Sequence, residues 1–101
     1  MGHANLRFGN TEKSNQYRSI TKLGDHLKVV HLHDNFSNHD THSLPGCGNI
    51  NWQDIARALI DINFCGDVNF EVSAKNIPSG AKENALEYLK SFADVIIKNA
   101  F

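Results

Sequence analysis

Residues 28–42 read Lys28-Val29-Val30-His31-Leu32-His33-Asp34-Asn35-Phe36-Ser37-Asn38-His39-Asp40-Thr41-His42, and this stretch decides how the chain is understood. Its β-branched start, just after Gly24-Asp25, predicts a strand over 28–33. Alternation then places Val29, His31 and His33 on one face and Val30 and Leu32 on the other. A long loop is expected over 34–49. Loops beyond about 12 residues without structure of their own are usually functional or disordered, and this one is rich in ligand-type side chains. Of six histidines, five (His26, His31, His33, His39 and His42) fall between positions 26 and 42. A solvated loop or chance clustering is the plain explanation. The histidines are not consecutive, which argues against a purification tag. Histidine is the commonest metal ligand, so the sharper reading is a metal or general-base site.

Outward from this stretch, the pattern alternates. A first helix is expected over 11–23 on the thin stripe Tyr17, Ile20 and Leu23, ending before Gly24. A second is expected over 52–62. Asn51 is its natural N-cap, and Trp52, Ile55, Ala56, Leu59 and Ile60 make one apolar face. A second strand over 68–72 puts Val68, Phe70 and Val72 on one side and Asn69 and Glu71 on the other. The third helix, over 80–98, follows Pro78-Ser79-Gly80 and carries the stripe Leu86, Leu89, Phe92, Ala93, Ile96 and Ile97, which reads as core. Helix, strand, helix, strand, helix implies an α/β chain with parallel strands and right-handed crossovers. Parallel strands are normally covered on both faces, and two strands make no complete sheet. The 101 residues therefore read as a single partial domain, expected to pair with copies of itself.

Composition narrows the function. Hydrophobic residues make up 41% and charged residues 21%, as in a water-soluble globular chain. No apolar run approaches the roughly 20 residues that span a bilayer, and no membrane partner is expected. The N-terminus lacks the charged-then-apolar pattern of a signal peptide. Cys47 and Cys65 form no CxxC pair, which fits a reducing, cytoplasmic setting. The net charge of −1 lacks the basic footprint of a nucleic-acid binder.

The polar positions assemble into a pattern. His31 ends the first strand, Asp40 and His42 form an Asp-x-His pair, and Glu71 ends the second strand. All are ligand types for zinc- or manganese-class ions. In parallel βα sheets the site lies at the strand C-termini. The run Val30-His31-Leu32-His33-Asp34-Asn35, then Asp40-Thr41-His42, then Pro45-Gly46-Cys47-Gly48-Asn49-Ile50-Asn51-Trp52, then Phe70-Glu71-Val72, resembles the xylose isomerase-like TIM-barrel superfamily. That group includes sugar phosphate isomerases and epimerases and zinc-dependent apurinic endonucleases. Gly2-His3-Ala4-Asn5 resembles the family's Asp-x-Gly-His-Ala-Asn segment, at the end of the preceding barrel strand.

The resemblance implies the C-terminal βα units of a barrel, with a divalent metal ion (Zn, Mn or Mg). By position, His31 resembles a metal-ligand His of the seventh strand. Glu71 resembles the metal-ligand Glu of the eighth, which is also the acid/base of the epimerases. His3 resembles the His that binds substrate in epimerases and metal in the endonucleases. Asp40 and His42 resemble the pair that holds a further zinc in the endonucleases. Cys47 departs from the family's Pro-Gly-Glu-Gly. The resemblance also implies that Met1 is internal to a longer chain, with an Asp ligand immediately before it, because a barrel needs about 250 residues. Three readings follow. The first is the C-terminal part of a metal-dependent sugar or sugar-phosphate isomerase or epimerase, with Glu71 and His3 catalytic and the chain alone inactive. The second is the corresponding part of a zinc-dependent apurinic endonuclease. The third is a non-catalytic, self-associating remnant.

Overall fold

The structure is a computed structural model that describes residues 1–8, 15–75, 77–98 and 101. Helix α1 (Gly2–Phe8) and helix α2 (Asn15–Leu23) lead into strand β1 (Val29–Leu32). Helix α3 (Trp52–Asp61), strand β2 (Asp67–Phe70) and helix α4 (Lys82–Lys98) follow. Short 3-10 turns at Gly24–His26 and Ser79–Ala81 close off α2 and open α4. Positions 11–14 of the expected first helix lie outside the described residues.

β1 and β2 pair in parallel, Val29 opposite Asp67 through Leu32 opposite Phe70. The ladder runs one step further, where the Glu71 amide donates to the Leu32 carbonyl at 2.9 Å. Glu71 therefore stands at the C-terminal end of β2. On the other edge of β1, the Met1 amine donates to the His31 carbonyl, so the residues of the Gly-His-Ala-Asn segment leave that edge as helix α1. The sheet has two strands and does not close.

The core lies between β1 and the helices. Ile20, Val30, Leu32, Ile50, Ile55, Ala56, Ala58, Leu59, Trp52 and Ile96 are its buried members. α3 is built as its sequence predicts. The Asn51 carbonyl oxygen of the side chain accepts from the Asp54 amide at 3.2 Å, satisfying one of the helix's free N-terminal donors.

Three expectations need correction. Ile60, assigned to the buried face of α3, is exposed, and Ala58 takes its place inside. The α4 stripe is not core: Leu86 and Ile97 are each 65% exposed, and Ile96 is the one member wholly inside. Helical periodicity puts these side chains on one face, but of them only Ile96 is buried, while Phe92 packs half-buried against the core. His33 does not share the exposed face of Val29 and His31; it is completely buried. β1 ends at Leu32, and beyond a strand end the two-residue alternation no longer applies.

Candidate functional site

After β1 the chain turns into the long loop, and a buried carboxylate holds it. Asp34 is fully buried. Its Oδ1 accepts from the amides of Asn35 at 2.9 Å and Ile50 at 3.3 Å. Its Oδ2 accepts from the Gly46 amide and the Trp52 indole N–H, both at 2.8 Å. Backbone bonds between Asp34 and Ser43, both 2.9 Å, close the loop into a ring. Gly48 packs so tightly that a Cβ there would strike the Asp34 carboxylate and the Asn35 carbonyl. Cys47 is exposed, so its exchange for the family's Glu leaves these anchors intact.

A second buried set ties α1 to the same loop. The Asn5 side-chain amide donates to Asn35 Oδ1 at 2.9 Å and Asn49 Oδ1 at 2.8 Å. Gln16 donates to Asn5 Oδ1 at 3.3 Å, and Asn35 Nδ2 donates to the Gly2 carbonyl at 3.0 Å. Asn5 thus fixes the helix that carries His3.

These two anchors bring four chemical groups together. The ligand-type atoms of His3, His33, Asp40 and His42 all lie within 4.8 Å of one another. His3 Nε2 is 3.0 Å and His42 Nε2 is 3.3 Å from the same Asp40 oxygen, Oδ2. His33 Nε2 is 3.9 Å from the other, Oδ1, too far for a hydrogen bond. The His33 ring stacks on that of His42, centroids 3.8 Å apart and planes 5° from parallel. His42 has left-handed backbone, φ 47°, which is uncommon for a non-glycine residue and over-represented at functional sites.

His42 Nδ1 lies 2.7 Å from the Glu71 carbonyl oxygen. A carbonyl only accepts, so Nδ1 carries a proton and donates it. Nε2 then faces Asp40 Oδ2 and needs either a second proton or a cation between the two. Metal-bound histidines usually donate their other ring nitrogen in this way. Burial pushes the Asp40 carboxyl up, yet the His3 hydrogen bond and the charges of His3, His42 and His33 outweigh it and hold it below its usual range. Glu71 behaves alike, burial raising it and the His31 hydrogen bond and nearby imidazoles bringing it below normal. Burial, with the charges of His42 and the Met1 amine, lowers His33 and favours its neutral form.

The residues singled out in the sequence thus fall into two neighbouring groups. Asp40, His42 and His3 gather. His31 and Glu71 form their own pair, Nδ1 to Oε1 at 3.4 Å, joined to the first group through the Glu71–His42 bond. His26 and His39 are exposed and outside both. Sequence reasoning missed His33 as a member. The signal available was the His-x-His spacing at 31 and 33, but alternation assigned both to one face.

A family model for the xylose isomerase-like TIM barrel matches residues 1–92. The chain belongs to the xylose isomerase-like TIM-barrel family. Its two parallel strands and flanking helices are an unclosed α/β part of that barrel. Among curated relatives, the uncharacterized protein MJ1311 of Methanocaldococcus jannaschii is 31% identical over 96 residues, which is 95% of this chain and 30% of that protein. The uncharacterized protein y4fM of Sinorhizobium fredii is 42% identical over 52 residues, 52% of this chain and 17% of that protein. The chain spans less than a third of either relative. No solved structure matches it. Among the described residues, no helix is long and apolar enough to cross a membrane.

Proposed function

We propose that this xylose isomerase-like chain supplies the metal-binding end of a sugar or sugar-phosphate isomerase or epimerase barrel, working in the cytoplasm. The observation that carries the metal is the convergence of His3, Asp40 and His42, with His42 Nε2 and Asp40 Oδ2 facing each other at 3.3 Å. A proton or a cation must lie between two such lone pairs, and the convergence of further donor atoms on the same point favours the cation. The donors fit a divalent ion, and His3, Asp40 and His42 would hold it. Such an ion supplies positive charge beside an oxyanion developing on a sugar.

Glu71 does the proton chemistry. Its carboxylate, held ionised beside His31 at 3.4 Å, stands at a strand C-terminus, where it can take the proton next to a substrate carbonyl. His31 orients it, and this pair would offer ligand atoms to a second divalent ion, one that is shared with the substrate. His3, on α1 and exposed, presents the second face to a sugar hydroxyl. The net charge of −1 suits a small polyol better than a polyanionic duplex. Membranes and nucleic acids are not among the proposed partners. The same reading includes self-association through the open apolar faces.

Calorimetric titration with zinc and manganese tests the metal. Uptake by the wild-type chain that is lost in both Asp40→Ala and His42→Ala supports the reading, and equal uptake in all three defeats it. For the substrate class, deuterium uptake from D2O next to the carbonyl of a ketose is expected only when the preceding barrel strands are supplied, and not with Glu71→Gln.

A zinc-dependent apurinic endonuclease is the second reading, because the gathering of His3, Asp40 and His42 is the ligand set that the resemblance implies for those enzymes. Incision of an abasic duplex, with no deuterium uptake by ketoses, would put it first.

A further inference from the structure

We propose that His33 is a fourth protein donor to the ion held by His3, Asp40 and His42, making this centre a closed, zinc-class clasp with no position open to substrate. The inference rests on the reading that those three residues bind a metal. It starts from an imidazole with nothing to do. His33 is wholly buried, and neither of its ring nitrogens has a hydrogen-bond partner among the described residues. Buried polar groups left unpaired in this way are rare and ask for a cause such as an absent ion.

Its surroundings supply one. The ring packs against those of His3, edge-on at 4.8 Å, and His42, stacked at 3.8 Å, with Nε2 turned toward Asp40; an ion lies in the plane of each imidazole that binds it, so capture tilts the His33 and His42 rings out of their stack. It cannot withdraw, because α1 backs it directly: a Cβ at Gly2 would run into the ring.

The donor set then decides the ion. Three imidazoles and one carboxylate suit zinc and its neighbours cobalt and nickel, whereas magnesium and manganese favour oxygen-rich shells. Zinc with four protein donors is the pattern of structural sites, and catalytic sites keep one place for water or substrate. The clasp joins the start of α1, the end of β1 and the Asp40–His42 loop. It leaves the acid/base work to the adjacent His31–Glu71 pair.

The test replaces zinc by cobalt(II), whose visible absorption reports its coordination, and uses azide to probe for an open position. The wild-type chain is expected to take up one equivalent with intense tetrahedral bands that azide leaves unchanged. His33→Phe keeps an aromatic ring at this place but removes both nitrogens. It should bind cobalt more than about 100-fold more weakly, beyond the 10–100-fold typical of residues that only orient a ligand, and its bands should now shift with azide. If circular dichroism shows that His33→Phe does not fold, His33→Gln takes its place with the same expectation. Azide-shifted bands in the wild type, or wild-type affinity in His33→Phe, would overturn the clasp while His42→Ala still abolished uptake. Failure of the wild type to bind cobalt at all would instead defeat the metal reading, and the clasp with it.

Discussion

The two strands have the same length and run side by side, yet their surroundings differ sharply. β1 alternates exposed and buried residues and runs into three fully buried polar ones, His33, Asp34 and Asn35. No residue of β2 is buried. The helices repeat the contrast. α3 buries Trp52, Ile55, Ala56, Ala58 and Leu59 within ten residues, whereas α4 buries only Ile96 in seventeen. An apolar groove of about 260 Å³, lined among others by Leu59, Phe64, Val68, Ile96 and Ile97, opens where the end of α3, β2 and α4 meet. One side of the molecule is thus a finished interior that carries polar chemistry. The other leaves Leu86, Tyr88 and Ile97 exposed. Precision in the side chains that could hold a metal comes from the finished side.

The contrast is most easily broken at Asp34. Asp34→Ala leaves four N–H donors without their acceptor, three on the backbone and one on Trp52. At about 1–3 kcal/mol for each buried group left unpaired, the expected loss exceeds about 3 kcal/mol, measured by urea unfolding. A loss below 1 kcal/mol would mean that water reaches this interior. Next in size is Ile96→Ala, expected to cost about 2–3 kcal/mol because Ile96 is the α4 residue buried in the core. Leu86→Ala on the open face should stay within about 0.5 kcal/mol. Equal losses at the two positions would erase the difference between the faces.

Acid sharpens the comparison on the finished side. In the metal-free chain, burial, His42, the Met1 amine and His3 hold the His33 imidazole below its ordinary 6.5, against a smaller opposing pull from Asp40. The unfolded chain therefore takes up that proton first. The contribution of neutral His33 is complete above about 6.5 and is lost as the pH falls from there toward the folded value. Asp40 and Glu71, both held low, add a separate loss that begins near their ordinary range and completes as the pH falls through their folded values. Urea midpoints between pH 7.5 and 5 should drop in the wild type and flatten in His33→Phe. The smallest effect on stability belongs to the open side. Leu86→Lys with Ile97→Lys should leave the melt nearly unchanged and lower the apparent mass by light scattering. A monomeric wild type would remove self-association from the proposal.

Much of this was legible in the residues. β-branched content and alternation located both strands, and the parallel pairing followed from the helix between them. The 3.6-residue spacing and Asn51 located α3 to within a residue of its end. The strand pattern put Glu71 at the end of the second strand and Asp40 with His42 in the loop, and the structure has them there. What stayed hidden has physical reasons. Periodicity tells which side chains share a face, not whether anything lies against it, so Leu86 and Ile97 read as core. Alternation holds only within a strand, so His33 was misplaced one residue past the end of β1. Helix α1 is seven residues long, too short to show a pattern. The interior of Asn5, Gln16 and Asn35 was invisible because amide side chains carry no sign of burial until their partners are known.

The backbone bridge between Asp34 and Ser43 bears on how an ion would be captured. Asp40 and His42 sit on a ring of chain whose ends are already joined. Most of the entropy of closing that loop is lost on folding, before any ligand arrives. Once His42 is engaged, Asp40 is no longer a separate molecule searching in solution but a neighbour on the same short tether. Its local concentration is therefore on the order of millimolar or more. Cutting the chain at Thr41 would keep all four ligand-type side chains, yet it would release that tether. Capture would then weaken through the rate of ion release, while the first encounter would proceed as before.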